Sequence, residues 1–170
     1  MTGVRLKVVV GASALLVGGV AATAIATGGD TGSATLRGFA EVPTVSSPGN
    51  GTFDATIDTA ARRITYTLSY DGLSGRVQQA HIHLGRRSTA GGVSAFLCTN
   101  IGGGTARTPA CPRSGEVTGT LRPADVLGPS DQGIAGREFG ELVRALRAGA
   151  TYVNVHTGPF PAGEIRGQIG

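Results

Sequence analysis

The chain has 170 residues, 29 of them glycine, with 15% charged residues and a formal net charge of +4. One domain accommodates that length, and a charged share below the roughly 25% of an average protein excludes a chain kept disordered by its own charge. Glycine is spread throughout and Ala/Glu/Lys/Leu periodicity is absent, which excludes a coiled coil or long helical bundle and leaves a protein of strands and turns.

Arg5 and Lys7 precede an uncharged, mostly apolar run, Val8 to Ala26, that exits through Ala24-Ile25-Ala26. A positive start, an apolar centre and a small-x-small exit predict an export signal over residues 1–26, cleaved after Ala26 and followed by a secreted or cell-surface protein. The run also approaches spanning length, so an uncleaved membrane anchor is the alternative, although Ala/Gly-rich composition favours processing. Without Arg5 and Lys7 the net charge falls to +2, and the remaining basic residues are all arginine. They are scattered, adjacent only at Arg62-Arg63 and Arg86-Arg87, with no interleaved aromatic platform, so nucleic acid is not an expected partner.

Residues 27–33 read as a flexible stub and 34–170 as the domain. Ala34 to Phe39 is a first strand, followed by the turn-forming run Ser46 to Gly51. Phe53, Ala55 and Ile57 then alternate with Thr52, Asp54 and Thr56, and Ile64, Tyr66, Leu68 and Tyr70 with Thr65, Thr67 and Ser69. That alternation marks two half-buried strands, which pair as a hairpin. Val77 to Leu84 sets Ala80, Ile82 and Leu84 on one face and Gln79, His81 and His83 on the other. Val93 to Leu97 and Gly115 to Leu121 bracket Cys98 and Cys111, and in an exported chain a disulfide between these two cysteines is the simplest reading.

Pro123 to Leu127 adds a helical turn. The one helix spans Glu138 to Ala148, with Phe139, Leu142, Val143 and Leu146 at i, i+3, i+4 and i+7 and Gly149 as its C-terminal cap. Tyr152 to His156 and Glu164 to Ile169 close the chain as alternating strands. About eight short strands predict a mainly β, antiparallel two-sheet sandwich with one short helix, because a single sheet would leave an apolar face in water.

All three histidines lie in two strand segments: His81 and His83 in Ala-His-Ile-His-Leu, and His156 in Tyr-Val-Asn-Val-His-Thr. Alternation sets His81 and His83 on one face, roughly 6.7 Å apart. Two imidazoles so spaced, joined by a third from another strand, make a site with an open position that copper or zinc accepts. The competing reading is structural, with the histidines hydrogen-bonded to Asn154, Thr157, Glu164 or Gln168. Glu164, Arg166 and Gln168 share one face of the last strand, as a polar network that locks it or as a surface for an anionic or peptide ligand, with Glu41 free to join either. No Gly-x-Ser-x-Gly elbow and no phosphate-binding glycine loop occurs, so no catalytic residue is nominated.

Leu36-Arg37-Gly38-Phe39-Ala40-Glu41-Val42-Pro43, Ala80-His81-Ile82-His83, the run from Gly149 through Tyr152-Val153-Asn154-Val155-His156-Thr157, and the run from Pro161 through Gly163-Glu164-Ile165-Arg166-Gly167-Gln168 resemble, in this order, the CHRD (chordin) domain. The resemblance covers about residues 34 to 170. It implies an extracellular domain with an immunoglobulin-like or related β-sandwich. The His-x-His strand and single disulfide bear a fainter likeness to copper/zinc superoxide dismutases, giving a superoxide-dismutase-like Greek key as the other topology. That family's copper takes four histidines, whereas this chain has three, so the activity is not carried over.

The expected function is thus a secreted or cell-surface binding or structural module, without enzymatic activity, for an extracellular protein or surface ligand. The alternative is a copper- or zinc-binding, redox-capable protein using His81, His83 and His156.

Overall fold

The computed structural model describes residues 30–170 together with Met1 and Gly3. Apart from Met1 and Gly3, the expected export signal lies outside the described residues, as do residues 27–29 of the stub. Among those described, no helix is long and apolar enough to cross a membrane.

Among the described residues, eight strands and one α-helix follow in chain order: β1 (Asp30–Arg37), β2 (Asn50–Asp58), β3 (Arg63–Asp71), β4 (Val77–Leu84), β5 (Val93–Thr99), β6 (Gly115–Leu121), α1 (Phe139–Arg147), β7 (Thr151–Thr157) and β8 (Ile165–Gln168). β2 and β3 alternate between buried and outward residues, as expected of half-buried strands, and pair as an antiparallel hairpin with Phe53 opposite Leu68. β1 starts earlier than expected. Residues 30–33, expected to be a stub, pair with Asp54 to Ile57, because Gly32 is small enough to lie under Ile169. A polar Thr-Gly-Ser run carries little apolar signal, so its pairing comes from its neighbours.

The expected pair of packed sheets is corrected to one continuous antiparallel sheet in the order β5-β4-β7-β8-β1-β2-β3-β6, curled until it is nearly closed and barrel-like. Curling hides the apolar face of a single sheet against itself, which removes the reason to expect a second sheet. Leu36, Phe53, Leu68, Ile82, Leu97 and Ile165 are fully buried in this core. Helix α1 adds Phe139, Leu142, Val143 and Leu146 to the same cluster, and ends where Gly149 takes φ +59°, a left-handed conformation suited to glycine.

The seam between the end strands β5 and β6 is bridged by side chains. The Tyr66 hydroxyl on β3 donates to the Leu97 carbonyl on β5 at 2.5 Å, and its ring crosses Gly119, where a Cβ would collide with it. Cys98 within β5 is bonded to Cys111, at the approach to β6, with their Cα atoms 5.0 Å apart.

Candidate functional site

β7 lies between β4 and β8, and the register fixes which side chains meet: His81 is opposite Asn154, His83 opposite Tyr152 and Gln79 opposite His156. On the other side Asn154 faces Arg166 and Tyr152 faces Gln168. Because side chains alternate along a strand, His81, His83, Tyr152, Asn154 and His156 project away from Ala80, Ile82, Val153 and Val155, which belong to the core. This second face is also buried, with His81 only 2% exposed and His83 and His156 7%. Chain segments that follow β4 and β7 cover it. The Gly91 carbonyl takes His83 Nδ1 at 2.8 Å, and the Pro161 carbonyl takes His156 Nδ1 at 3.0 Å.

One ring nitrogen from each histidine lies within 4.8 Å of the others. His81 Nδ1 is 3.1 Å from His156 Nε2, which is itself 2.9 Å from Asn154 Oδ1. Phe96 packs edge-on against His81 at 4.3 Å between centroids, and Tyr152 stacks on His83 at 4.7 Å and 5°. The Arg166 guanidinium carbon is 3.4 Å from the centroid of the Tyr152 ring, a cation–π contact. Among the described residues, His81 Nε2 and His83 Nε2 have no hydrogen-bond partner. Burial, together with the neighbouring His156 and His83, lowers the His81 pKa to about 2. Burial lowers His83 to about 4 and also lowers His156. The three rings are therefore neutral near pH 7.

Glu41 reaches this region from the loop after β1. Burial raises its carboxyl to about 7, against the lowering effects of the Val42 backbone N–H, Arg166 and Asn154. A Cβ at Gly163 would run into Glu41 and Asn154, and Gly163 has φ +128°, so space and backbone conformation both call for glycine there. Glu41 and Arg166 also line a cleft of about 560 Å³ together with Arg37, Arg87, Gln168 and Phe39. Phe39 is 73% exposed, on a 3₁₀ turn spanning Gly38–Ala40.

The histidines and Asn154 thus meet, with Glu41 and Arg166 alongside. Glu164 does not join them. Its carboxylate accepts from Ser47, Thr157 and the Ser74 backbone N–H at 2.5–2.7 Å, and although burial opposes ionisation, those bonds hold its pKa below the usual range. Gln168 Nε2 faces the Gly85, Gly149 and Thr151 carbonyls. Of the structural partners expected for the histidines, only Asn154 is used. Sequence reasoning passed over Tyr152 and Phe96, although Tyr152 stands two and four residues before Asn154 and His156 on the same strand face.

The family model for the CHRD domain matches residues 32–169. The chain belongs to the CHRD domain family. Comparison with curated proteins and with solved structures found no match in either. CHRD domains are typically extracellular, and the disulfide accords with that setting. Membership supports an extracellular or binding module without naming a ligand. In this CHRD domain, the motifs Ala80-His81-Ile82-His83 and Tyr152-Val153-Asn154-Val155-His156 lie on adjacent strands and supply the buried polar face, while Phe39 and Glu41 belong to the cleft beside it.

Proposed function

We propose that this CHRD domain is an exported, non-enzymatic binding module that takes an acidic peptide segment of an extracellular partner in the cleft beside Arg166. The observation that carries this reading is the exposed Phe39 ring on a cleft lined by three arginines, Arg37, Arg87 and Arg166. A ring held in water on a short turn offers apolar contact area, and arginine pairs with carboxylates through a planar fork. Among the described residues, the only acidic group lining the cleft is Glu41, whose raised pKa of about 7 leaves the lining positive at neutral pH. Cleft volume falls within the range of roughly 300–1,000 Å³ common to ligand sites.

Export belongs to the same proposal, with cleavage after Ala26. The mature chain's N-terminal residue is then Thr27, and recovery of a membrane-bound chain beginning at Met1 refutes cleavage. Binding is tested by calorimetric titration with a Glu-rich peptide containing one aromatic residue. Phe39→Ala and Arg87→Ala are each expected to weaken binding at least tenfold, and added salt to weaken it further. No binding by the unaltered chain, or affinity unchanged from it in both variants, refutes the cleft as the ligand site.

A further inference from the structure

We propose that His81, His83 and His156 form a buried mononuclear centre for a late first-row metal cation, copper or zinc. A neutral imidazole has one N–H and one lone pair, and a carbonyl oxygen can only accept. The Gly91 and Pro161 carbonyls therefore place the protons of His83 and His156 on Nδ1, which turns both Nε2 lone pairs inward. His81 Nδ1 donates to His156 Nε2, and His81 Nε2 is then a lone pair as well.

The cluster holds more lone pairs than hydrogens to fill them. His81 Nε2 and His83 Nε2 are buried without partners, and His156 Nε2 also faces the acceptor Asn154 Oδ1 at 2.9 Å. A purely structural histidine cluster satisfies its buried nitrogens, since each one left unpaired costs free energy. A cation that takes the Nε2 lone pairs of His83 and His156 relieves the unpaired His83 nitrogen and the facing acceptors His156 Nε2 and Asn154 Oδ1, with the His81 proton moving from Nδ1 to Nε2 to free Nδ1 as a third donor.

The carbonyl bonds at Nδ1 are the outer contacts that fix tautomer and ring orientation in histidine metal sites. The separations of 3.1 Å between His81 Nδ1 and His156 Nε2 and of at most 4.8 Å across the cluster bracket the spacing of about 3.3 Å between nitrogens that share a metal with 2.0–2.1 Å bonds. Neutral nitrogen donors favour copper or zinc over calcium or magnesium, which take oxygen ligands. His83 and His156 bind through Nε2 and His81 through Nδ1, the nitrogen 3.1 Å from His156 Nε2. Tyr152 and Phe96, packed on His83 and His81, hold those rings in place.

The full chain as exported is stripped with chelator and then titrated separately with Cu(II), Cu(I) and Zn(II), with stoichiometry read by native mass spectrometry and affinity by competition. One equivalent of copper or zinc per chain is expected, with Kd below 10 µM. His83→Gln and His156→Gln are each expected to weaken uptake at least 100-fold, while Thr118→Ala leaves it unchanged. Should the histidine variants fail to fold, nitrogen hyperfine coupling in the Cu(II) electron paramagnetic resonance spectrum, or histidine ¹⁵N shifts with Zn(II), counts the imidazoles in the unaltered protein. Absence of uptake of all three ions, uptake unchanged in folded histidine variants, or spectra with fewer than three imidazoles overturns the centre. None of these results bears on peptide binding in the Arg166 cleft.

Discussion

One sheet has two outward faces with opposite fates. Across β1, β2, β3 and β6 the register aligns Thr31, Thr56, Thr65 and Thr120 in one row, Ser33, Asp54, Thr67 and Thr118 in the next, and Thr35, Thr52, Ser69 and Glu116 in a third. These side chains are exposed or half-buried. The outward face of β4, β7 and β8 carries His81, His83, Tyr152, Asn154, His156 and Arg166, none more than 7% exposed. A depression of about 750 Å³ over the threonine rows exceeds the Arg166 cleft in volume, yet volume is a poor guide here. Water satisfies an exposed hydroxyl in almost any orientation, so the threonine rows impose no demand on a ligand. A covered imidazole needs a specific partner for each nitrogen, so covering a polar face changes it from a soluble surface into a chemically demanding site.

Placing the same charge on both faces tests this contrast most severely. His81→Lys is expected to cost at least about 4 kcal/mol or to prevent folding, because it introduces an uncompensated charge where burial is nearly complete. Thr118→Lys, in the open face beside Glu116, is expected to stay within about 0.5 kcal/mol. Urea unfolding with the disulfide intact measures both, and equal costs break the distinction between the faces.

Much of the fold was legible because alternation and helical spacing are local. The limits of β4 and β6 match their expected spans, and α1 comes within one residue at each end. Curling was not legible, because it depends on pairing between distant segments and on the Tyr66 bridge over Gly119. Alternation correctly assigned His81 and His83 to the face opposite Ala80 and Ile82, but it does not report what lies on top of a face. The covering segments around Gly91 and Pro161 have no periodicity, so their role shows only in their carbonyl bonds. The same limit explains Glu164 and Arg166, neighbours in the last strand's pattern that the loops draw into separate networks.

Acid provides a graded test of the covered face. With chelator present, the three histidines have folded pKa values below the ordinary 6.5, mainly through burial. Their contribution is complete above pH 6.5 and is lost as pH falls toward the folded values, since the unfolded chain takes up protons first. Glu41 acts with the opposite sign: its folded pKa of about 7 lies above its ordinary 4.5, so its contribution is complete below 4.5 and lost as pH rises through 7. His81 and His83 against Glu41 leave a net uptake of about one proton on unfolding, and His156 adds to it in the same direction. Stability is therefore expected to fall by about 1–2 kcal/mol from pH 7 to pH 5.5. Replacing all three histidines by glutamine should remove that fall. Glu41 then leaves only its opposite slope, so a loss of stability with acid that persists in the folded triple variant locates its source elsewhere.

Tyr66→Phe makes the smallest change and probes the joint between the two halves. Tyr66 stands on β3, in the half with the threonine rows, and its hydroxyl ends on the Leu97 carbonyl of β5, which pairs with the histidine strand β4. Removing that hydroxyl leaves ring packing largely intact and a carbonyl without its partner, for an expected loss of about 1 kcal/mol. If the bond holds the sheet closed, amide exchange should quicken at the seam in β5 and β6 and stay unchanged in the β1–β2 pairing. Uniform acceleration across all strands would make Tyr66 a contributor to global stability rather than the fastening of this seam.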